Sequence, residues 1–374
     1  MHDAAIACRE AGVRAASEKC FDQLHPPSEI WTLRCGYIAL SLRSWLKFPA
    51  SGWVQTSATP STDSTFGRST CRSTGNPPGV TVDTPRPCHT PPMHPGQQIP
   101  VGDGVSLHVR RLGEPRPGRP PLLAVHGGPS WDHSYLLPGL EPIAARREVV
   151  AFDMRGCGRS TRDLPVEAYQ PDLVVEDIRR LIDALGHDTV DLLGFSTGGQ
   201  VAQLFTEAHP ERVRRLVLAS TTAYGDVSPY LADWPEYERR AAMATEPPAD
   251  CTDLQWTVHH ARTGAVTAIW DLGRLDAYLR LLDGVVFTGD WLAPWRRGLL
   301  RPWRPADPAA VLREWGGRVM ILHGEQDMGF PLPLAERLHE AVPGSVLAVI
   351  PAAGHMAHVE NPGLWVRHVR MFLG

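Results

Sequence analysis

The sequence predicts an α/β fold, a mostly parallel sheet wrapped by helices on both faces, and three observations predict it. Short apolar runs recur at 122–125, 148–152, 190–194, 214–219, 318–322 and 346–350. Helical patterns alternate with them, among them 173–185, 200–209, 334–341 and 362–372. A glycine-flanked serine, Gly194-Phe195-Ser196-Thr197-Gly198-Gly199, stands where one run meets one helix. Strands buried on both faces read as continuous apolar runs, and strand–helix alternation is the pattern of parallel crossover units.

The first 92 residues differ from the rest. They hold five of the seven cysteines, Cys8, Cys20, Cys35, Cys71 and Cys88, at spacings that match no zinc pattern. Residues 49–92 are dense in Ser, Thr and Pro with little periodicity, which predicts a disordered extension. Residues 37–48 are apolar but internal, short and broken by Arg43 and Lys47, unlike a signal peptide, and a cytoplasmic location is expected. Met93 precedes the first strand-like segment, 105–111, so the extension is expected to be dispensable and Met93 to be the native start.

The run at 122–125 leads into His126-Gly127-Gly128-Pro129, and the run at 148–152 into Asp153-Met154-Arg155-Gly156-Cys157-Gly158-Arg159-Ser160. The second loop is expected to be structural, held by charge-assisted hydrogen bonds of Asp153 and Arg155. Cys157 lies in it, away from the serine turn, and is not assigned as a nucleophile.

A serine on a sharp strand-to-helix turn takes a strained backbone, and small neighbours two residues away on either side make room for it. Gly194 and Gly198 stand at those positions, so Ser196 is the expected nucleophile. The base and its orienter are expected downstream in the order acid, then histidine. Asp327 follows the strand at 318–322 on a polar loop, and His355 follows the strand at 346–350. Both fall at the carboxyl edge of the sheet, where ligands of parallel sheets bind. Glu325 is the rival acid; His323, still on the strand, and His358 are read as packed. Oxyanion donors are expected from the backbone N–H of Thr197, at a helix start, and of Gly128, with Gly127 in reserve. Pro129 has no N–H to give.

Nearly a hundred residues separate the strand ending at Ser220 from the one starting at Arg318, too many for a simple crossover. Residues 222–315 are read as a helical cap over the site, and 93–221 with 316–374 as the core. Aromatic residues recur through the cap, and some are expected to line an apolar pocket. Glu236, Glu238, Asp271, Asp276 and Asp290 are expected at the surface, with one or two available to bind a substrate ammonium group.

Composition fits a globular protein: 43% hydrophobic, 21% charged, net charge −4 over 374 residues. The near-neutral balance without a basic stripe argues against nucleic acid as a partner, and no apolar run is long enough to span a membrane. The expected partner is a small, mostly apolar substrate.

Together these segments, from about Met93 to the C-terminus, resemble the α/β-hydrolase superfamily. In that fold the cap is inserted after the sixth strand. His126-Gly127-Gly128-Pro129 and 153–160 are most similar to the proline iminopeptidase branch (peptidase family S33), where they read His-Gly-Gly-Pro and Asp-Gln-Arg-Gly-x-Gly-x-Ser. Two departures stand out. Met154 replaces the glutamine, and the serine turn, Gly-Gly-Ser-Trp-Gly-Ser in that branch, is here closer to that of esterases and lactonases. The resemblance implies a serine hydrolase of esters, lactones or small amides, with no metal or organic cofactor. Release of N-terminal proline is the alternative, and a non-hydrolytic acyl transferase or lyase the alternative of another class. Dehalogenases and epoxide hydrolases of this fold carry aspartate where Ser196 stands.

Overall fold

The computed structural model describes residues 96–374. The expected extension at 1–92 and the expected start at Met93 lie outside the described residues. One eight-stranded sheet has the order β1-β2-β4-β3-β5-β6-β7-β8. The strands are β1 Gln97–Gly102, β2 Val105–Leu112, β3 Leu122–Val125, β4 Val149–Phe152, β5 Val190–Phe195, β6 Val213–Ala219, β7 Arg318–Gly324 and β8 Val346–Ile350. β1 runs antiparallel to β2 and β2 antiparallel to β4; the remaining pairs are parallel.

The central strands bury both faces, as their unbroken apolar composition requires. Leu123 and Val125 of β3, Leu192 of β5 and Leu218 of β6 enter one core; Leu122, Ala124, Leu193 and Val217 enter the other. Each such leucine or valine, fully buried, contributes roughly 1.5–3 kcal/mol of transfer free energy. The helices that cover these faces before the cap are α1 Leu137–Ala144, α2 Pro171–Ala184 and α3 Thr197–Ala208. α2 supplies Val174, Ile178 and Leu181 to the first core, an i, i+4, i+7 stripe.

β1 was not expected from the sequence. It is an edge strand, half polar and interrupted by Pro100, and only Val101 is buried. Proline is tolerated there because an edge strand has an N–H row without a sheet partner. Asp103 and Gly104, both at positive φ, close the two-residue turn into β2.

After β6 come the cap helices α4 Ser228–Leu231, α5 Pro235–Ala241, α6 Asp253–Thr263, α7 Ala265–Ala268, α8 Leu275–Leu282 and α9 Leu292–Arg296. The cap is thus inserted after the sixth strand. Arg240 binds it together, donating to the carbonyls of Val266, Ile269 and Trp270. α10 Pro308–Trp315 closes the segment but packs on α3 of the core, with Trp315 Nε1 donating to the Pro210 carbonyl at 3.1 Å. The chain finishes with α11 Leu332–Ala341, α12 Ala357–Glu360 and α13 Pro362–Leu373, the last packed against α1. No helix of the described residues is long and apolar enough to cross a membrane.

Candidate active site

β5 delivers Ser196 to the carboxyl edge of the sheet. Its backbone is at φ 55°, ψ −125°, a region that L residues avoid. The glycines flanking it are required sterically: a Cβ on Gly194 would lie 2.4 Å from the Gly198 carbonyl oxygen, and one on Gly198 would lie 2.3 Å from those of Val125 and His126. The turn is pinned by Ser196 N–H donating to Ala219 O at 3.0 Å and by the Thr221 hydroxyl donating to Ser196 O at 2.6 Å.

The loops after β7 and β8 bring Asp327 and His355 to the same place. His355 Nε2 lies 3.1 Å from Ser196 Oγ, and His355 Nδ1 lies 2.9 and 3.1 Å from the two Asp327 oxygens. An ionised carboxylate only accepts, so Nδ1 carries the imidazole proton and Nε2 offers its lone pair to the serine hydroxyl. Asp327 is fully buried. Burial pushes its pKa up, but His355, then His323 and the Phe330 N–H, outweigh burial and hold it below the ordinary carboxylate range. Its Oδ1 accepts from Gly329 N–H and Phe330 N–H at 2.7 and 2.8 Å.

The rivals are placed elsewhere. Glu325 is exposed and accepts from Ala352 N–H at 3.0 Å. His323 is buried behind Asp327, donating from Nε2 to Phe330 O at 2.6 Å with Asp327 Oδ2 at 3.3 Å. His358 is buried, and its Nε2 bonds the Tyr135 carbonyl at 3.1 Å. Gly127 N–H donates to the Tyr135 hydroxyl at 2.7 Å. The N–H groups of Gly128 and Thr197 make no hydrogen bond among the described residues.

The loop at 153–160 is a scaffold. Asp153 Oδ1 accepts from His133 N–H and Oδ2 from Arg159 N–H. Arg155 forms a buried bidentate pair with Asp177 of α2, at 2.6 Å for both bonds. Cys157 is buried, accepts from Ser130 N–H at 3.3 Å, and burial pushes its thiol pKa up, which makes it inert as a nucleophile. The same loop seats the cap: Thr288 Oγ1 donates to Gly156 O and Trp291 Nε1 to Arg155 O.

Ser196, His355, Gly128 and Thr197 line one cavity of about 830 Å³, its solvent mouth included, under cap helices α5 to α8. Its walls are largely apolar and aromatic, and among the described residues no Asp, Glu, Lys or Arg lines it. Of the cap's aromatic residues only Tyr237 and Tyr278 reach it; Trp131, Tyr135 and Phe195 come from the core. The candidate ammonium binders are engaged elsewhere or stand off the cavity. Glu236 pairs with Arg239 and Arg240, Asp271 with Arg274, and Asp290 accepts from Tyr169 and Asp163, while Asp276 is exposed.

Sequence reasoning missed two residues near the site: Tyr135 engages Gly127, and Glu360 accepts from Gly354, Trp270 and Asp271 N–H, which ties the His355 loop to the cap, while Tyr278, one of the cap aromatics from which pocket-lining residues were expected, does line the cavity. Only Glu360 carried a signal, its place five residues after His355 on a short helix. Among the described residues no three His, Cys, Asp or Glu side chains are placed to hold a metal ion.

Comparison with known proteins places this geometry in context. Residues 120–362 match the family model described as alpha/beta hydrolase fold. The chain is 33% identical over 122 residues to a proline iminopeptidase of Lactiplantibacillus plantarum, covering 32% of this chain and 42% of the relative. Other matches of 119 to 130 residues likewise span only 31% to 43% of the relative's length. It is 29% identical over 263 residues to a 2-hydroxymuconate semialdehyde hydrolase of Pseudomonas sp., covering 68% of this chain and 86% of the relative. Among solved structures, a thermophilic esterase from Thermogutta terrifontis superposes with a TM-score of 0.59 at 22% identity, over 75% of this chain and 98% of that one. At that identity the likeness is one of fold.

Proposed function

The chain belongs to the α/β-hydrolase fold family, and from that premise we propose that it is a serine hydrolase cleaving an uncharged ester, lactone or small amide. The observation that carries the proposal is the unbroken line Asp327–His355–Ser196, with two uncommitted N–H groups, Gly128 and Thr197, opening on the same cavity.

His355 Nε2 takes the Ser196 proton as the oxygen attacks the substrate carbonyl. Asp327 keeps the proton on Nδ1 and stabilises the imidazolium that forms. Gly128 and Thr197 N–H groups receive the oxyanion, each donor of this kind supplying about 3 kcal/mol. His355 then protonates the leaving group, and water, activated by the same imidazole, releases the acyl group. The substrate is small and mostly apolar, because the cavity offers aromatic surface and, among the described residues, no ionic partner.

Release of N-terminal proline is the second reading, favoured by the His126–Pro129 motif and by the names of several relatives. That chemistry holds a substrate ammonium, and a carboxylate in the cavity is the natural partner. None lines it among the described residues, so ester or lactone cleavage is preferred. The test is hydrolysis of proline naphthylamide beside a p-nitrophenyl ester series, by wild type and Ser196→Ala. Serine-dependent ester turnover well above proline release supports the proposal. Dominant serine-dependent proline release replaces it with the second reading.

A further inference from the structure

His260 of α6 is the one cap histidine on the wall of the cavity that holds Ser196. One face of its ring lies flat on Trp256, with centroids 3.6 Å apart and planes 25° from parallel. Its Nδ1 lies 2.9 Å from the Trp256 carbonyl oxygen, one turn back on the same helix. A carbonyl only accepts, so Nδ1 carries the proton and Nε2 presents a lone pair. Nε2 makes no hydrogen bond among the described residues, yet it is not sealed, in contrast to Nε2 of His187 and Nδ1 of His323 and His358. Trp256 covers one face and the helix holds the Nδ1 edge. The free edge carrying Nε2 is therefore left to border the cavity, beside Ala261 and Gly264 of the same wall.

Resting on the serine-hydrolase reading, we propose that His260 is a specificity-determining residue whose Nε2 accepts a hydrogen bond from an uncharged hydroxyl of the substrate, remote from the scissile carbonyl. The surroundings select that class. Burial, with His259 and Arg296, outweighs the Trp256 carbonyl and Glu246 and lowers the His260 pKa, so the ring stays neutral at neutral pH and accepts. A neutral imidazole in this tautomer has nothing to donate to a substrate ketone or carboxylate from Nε2. In the open cavity water serves the lone pair. A plain hydrocarbon chain displaces that water and strands a polar atom, whereas a hydroxyl replaces it. Sites built to bond one polar group discriminate against the analogue that lacks it.

The experiment uses p-nitrophenyl esters of equal chain length in three series: plain, hydroxy and oxo. The polar group is stepped along the acyl chain, far enough from the carbonyl that the hydroxy ester does not close to a lactone by itself. The readout is the ratio of kcat/KM for each hydroxy or oxo ester to that for its plain partner, in wild type, His260→Phe and His260→Gln. Intrinsic differences in ester reactivity cancel between proteins. In wild type the hydroxy ratio is expected to peak at one position and to exceed the oxo ratio there. At that position it is expected to fall about tenfold in His260→Phe, the loss of one well-placed hydrogen bond. His260→Gln, whose amide oxygen also accepts, is expected to recover part of it. A wild-type hydroxy ratio without a peak overturns the inference whether or not the variants fold. So does a ratio unchanged in His260→Phe, or an oxo ester preferred to the hydroxy ester. Loss of the hydroxyl preference with Ser196-dependent turnover of plain esters intact removes this inference alone; absence of that turnover removes the serine-hydrolase reading and this inference with it.

Discussion

The Thr197 hydroxyl donates to the Gly128 carbonyl oxygen at 2.6 Å, so the two residues proposed to hold the oxyanion are bonded to one another. One stands at the start of α3 and the other in the loop after β3, and this bond spans 69 positions of sequence. Preorganised donors stabilise developing charge because they need not reorganise as it forms. Thr197→Val keeps the shape of the side chain and removes the bond. It is expected to lower kcat by about tenfold or more with little change in KM, and to cost about 1–3 kcal/mol for the orphaned carbonyl. Thr197→Ser is expected to restore both. Steady-state kinetics and urea unfolding of the two variants provide the check; a Thr197→Val enzyme with wild-type kcat contradicts the link.

The strain at Ser196 has a measurable sign. Serine and alanine both suffer at φ 55°, whereas glycine does not. Ser196→Gly and Ser196→Ala both lack the hydroxyl, so their difference isolates the backbone. Ser196→Gly is expected to be the more stable by about 1 kcal/mol, the release of strain exceeding the extra entropy glycine gives the unfolded chain. Urea titration of both proteins decides, and an alanine variant as stable as the glycine one speaks against a strained turn.

Much of this site is legible in the sequence because its parts are local. The Gly194–Ser196–Gly198 turn, the acid after β7 and the histidine after β8 each announce themselves by a strand ending in a polar loop. The long-range partners do not. Asp177 is one polar position on an amphipathic helix until the fold sets it against Arg155, and Tyr278 is one cap aromatic among many until packing selects it. β1 escaped notice because an edge strand needs little apolar content, although Asp103-Gly104 is a hairpin signal in its own right.

Acid should destabilise the fold through its buried imidazoles. His126, His323 and His358 are fully buried, and burial depresses the pKa of each, that of His358 to about 4 despite its bond to the Tyr135 carbonyl. Between pH 6.5 and about 4 the unfolded chain therefore binds protons that the native state refuses. Stability is complete above the unfolded value near 6.5 and is lost as the pH falls toward 4. For His358 the gap corresponds to about 3 kcal/mol. His358→Gln keeps a donor for Tyr135 without titrating, so the stability difference between wild type and this variant is expected to narrow on acidification from pH 7. A difference independent of pH rules out a neutral buried His358.

The Arg155–Asp177 pair holds the loop on which the cap rests. Burial outweighs Arg155 and leaves the Asp177 pKa raised, which marks a pair whose desolvation is incompletely offset. Asp177→Ala alone is expected to cost about 3–5 kcal/mol by stranding the guanidinium. The double replacement Arg155→Met with Asp177→Leu is expected to recover most of that. Chemical denaturation of single and double variants tests the cycle; a double variant as unstable as the single one places the value of the pair in its charge.

Serine hydrolysis by this triad requires Ser196 to become acylated during turnover. The most direct measurement is intact-protein and peptide mass spectrometry after brief exposure to a slowly hydrolysed p-nitrophenyl ester, beside a stopped-flow trace of nitrophenol release. The expected result is a burst matching the concentration of folded protein, an acyl mass on the peptide containing Ser196, and loss of both in Ser196→Ala. Turnover without a burst, with no adduct on that peptide and with Ser196→Ala still active, would contradict it.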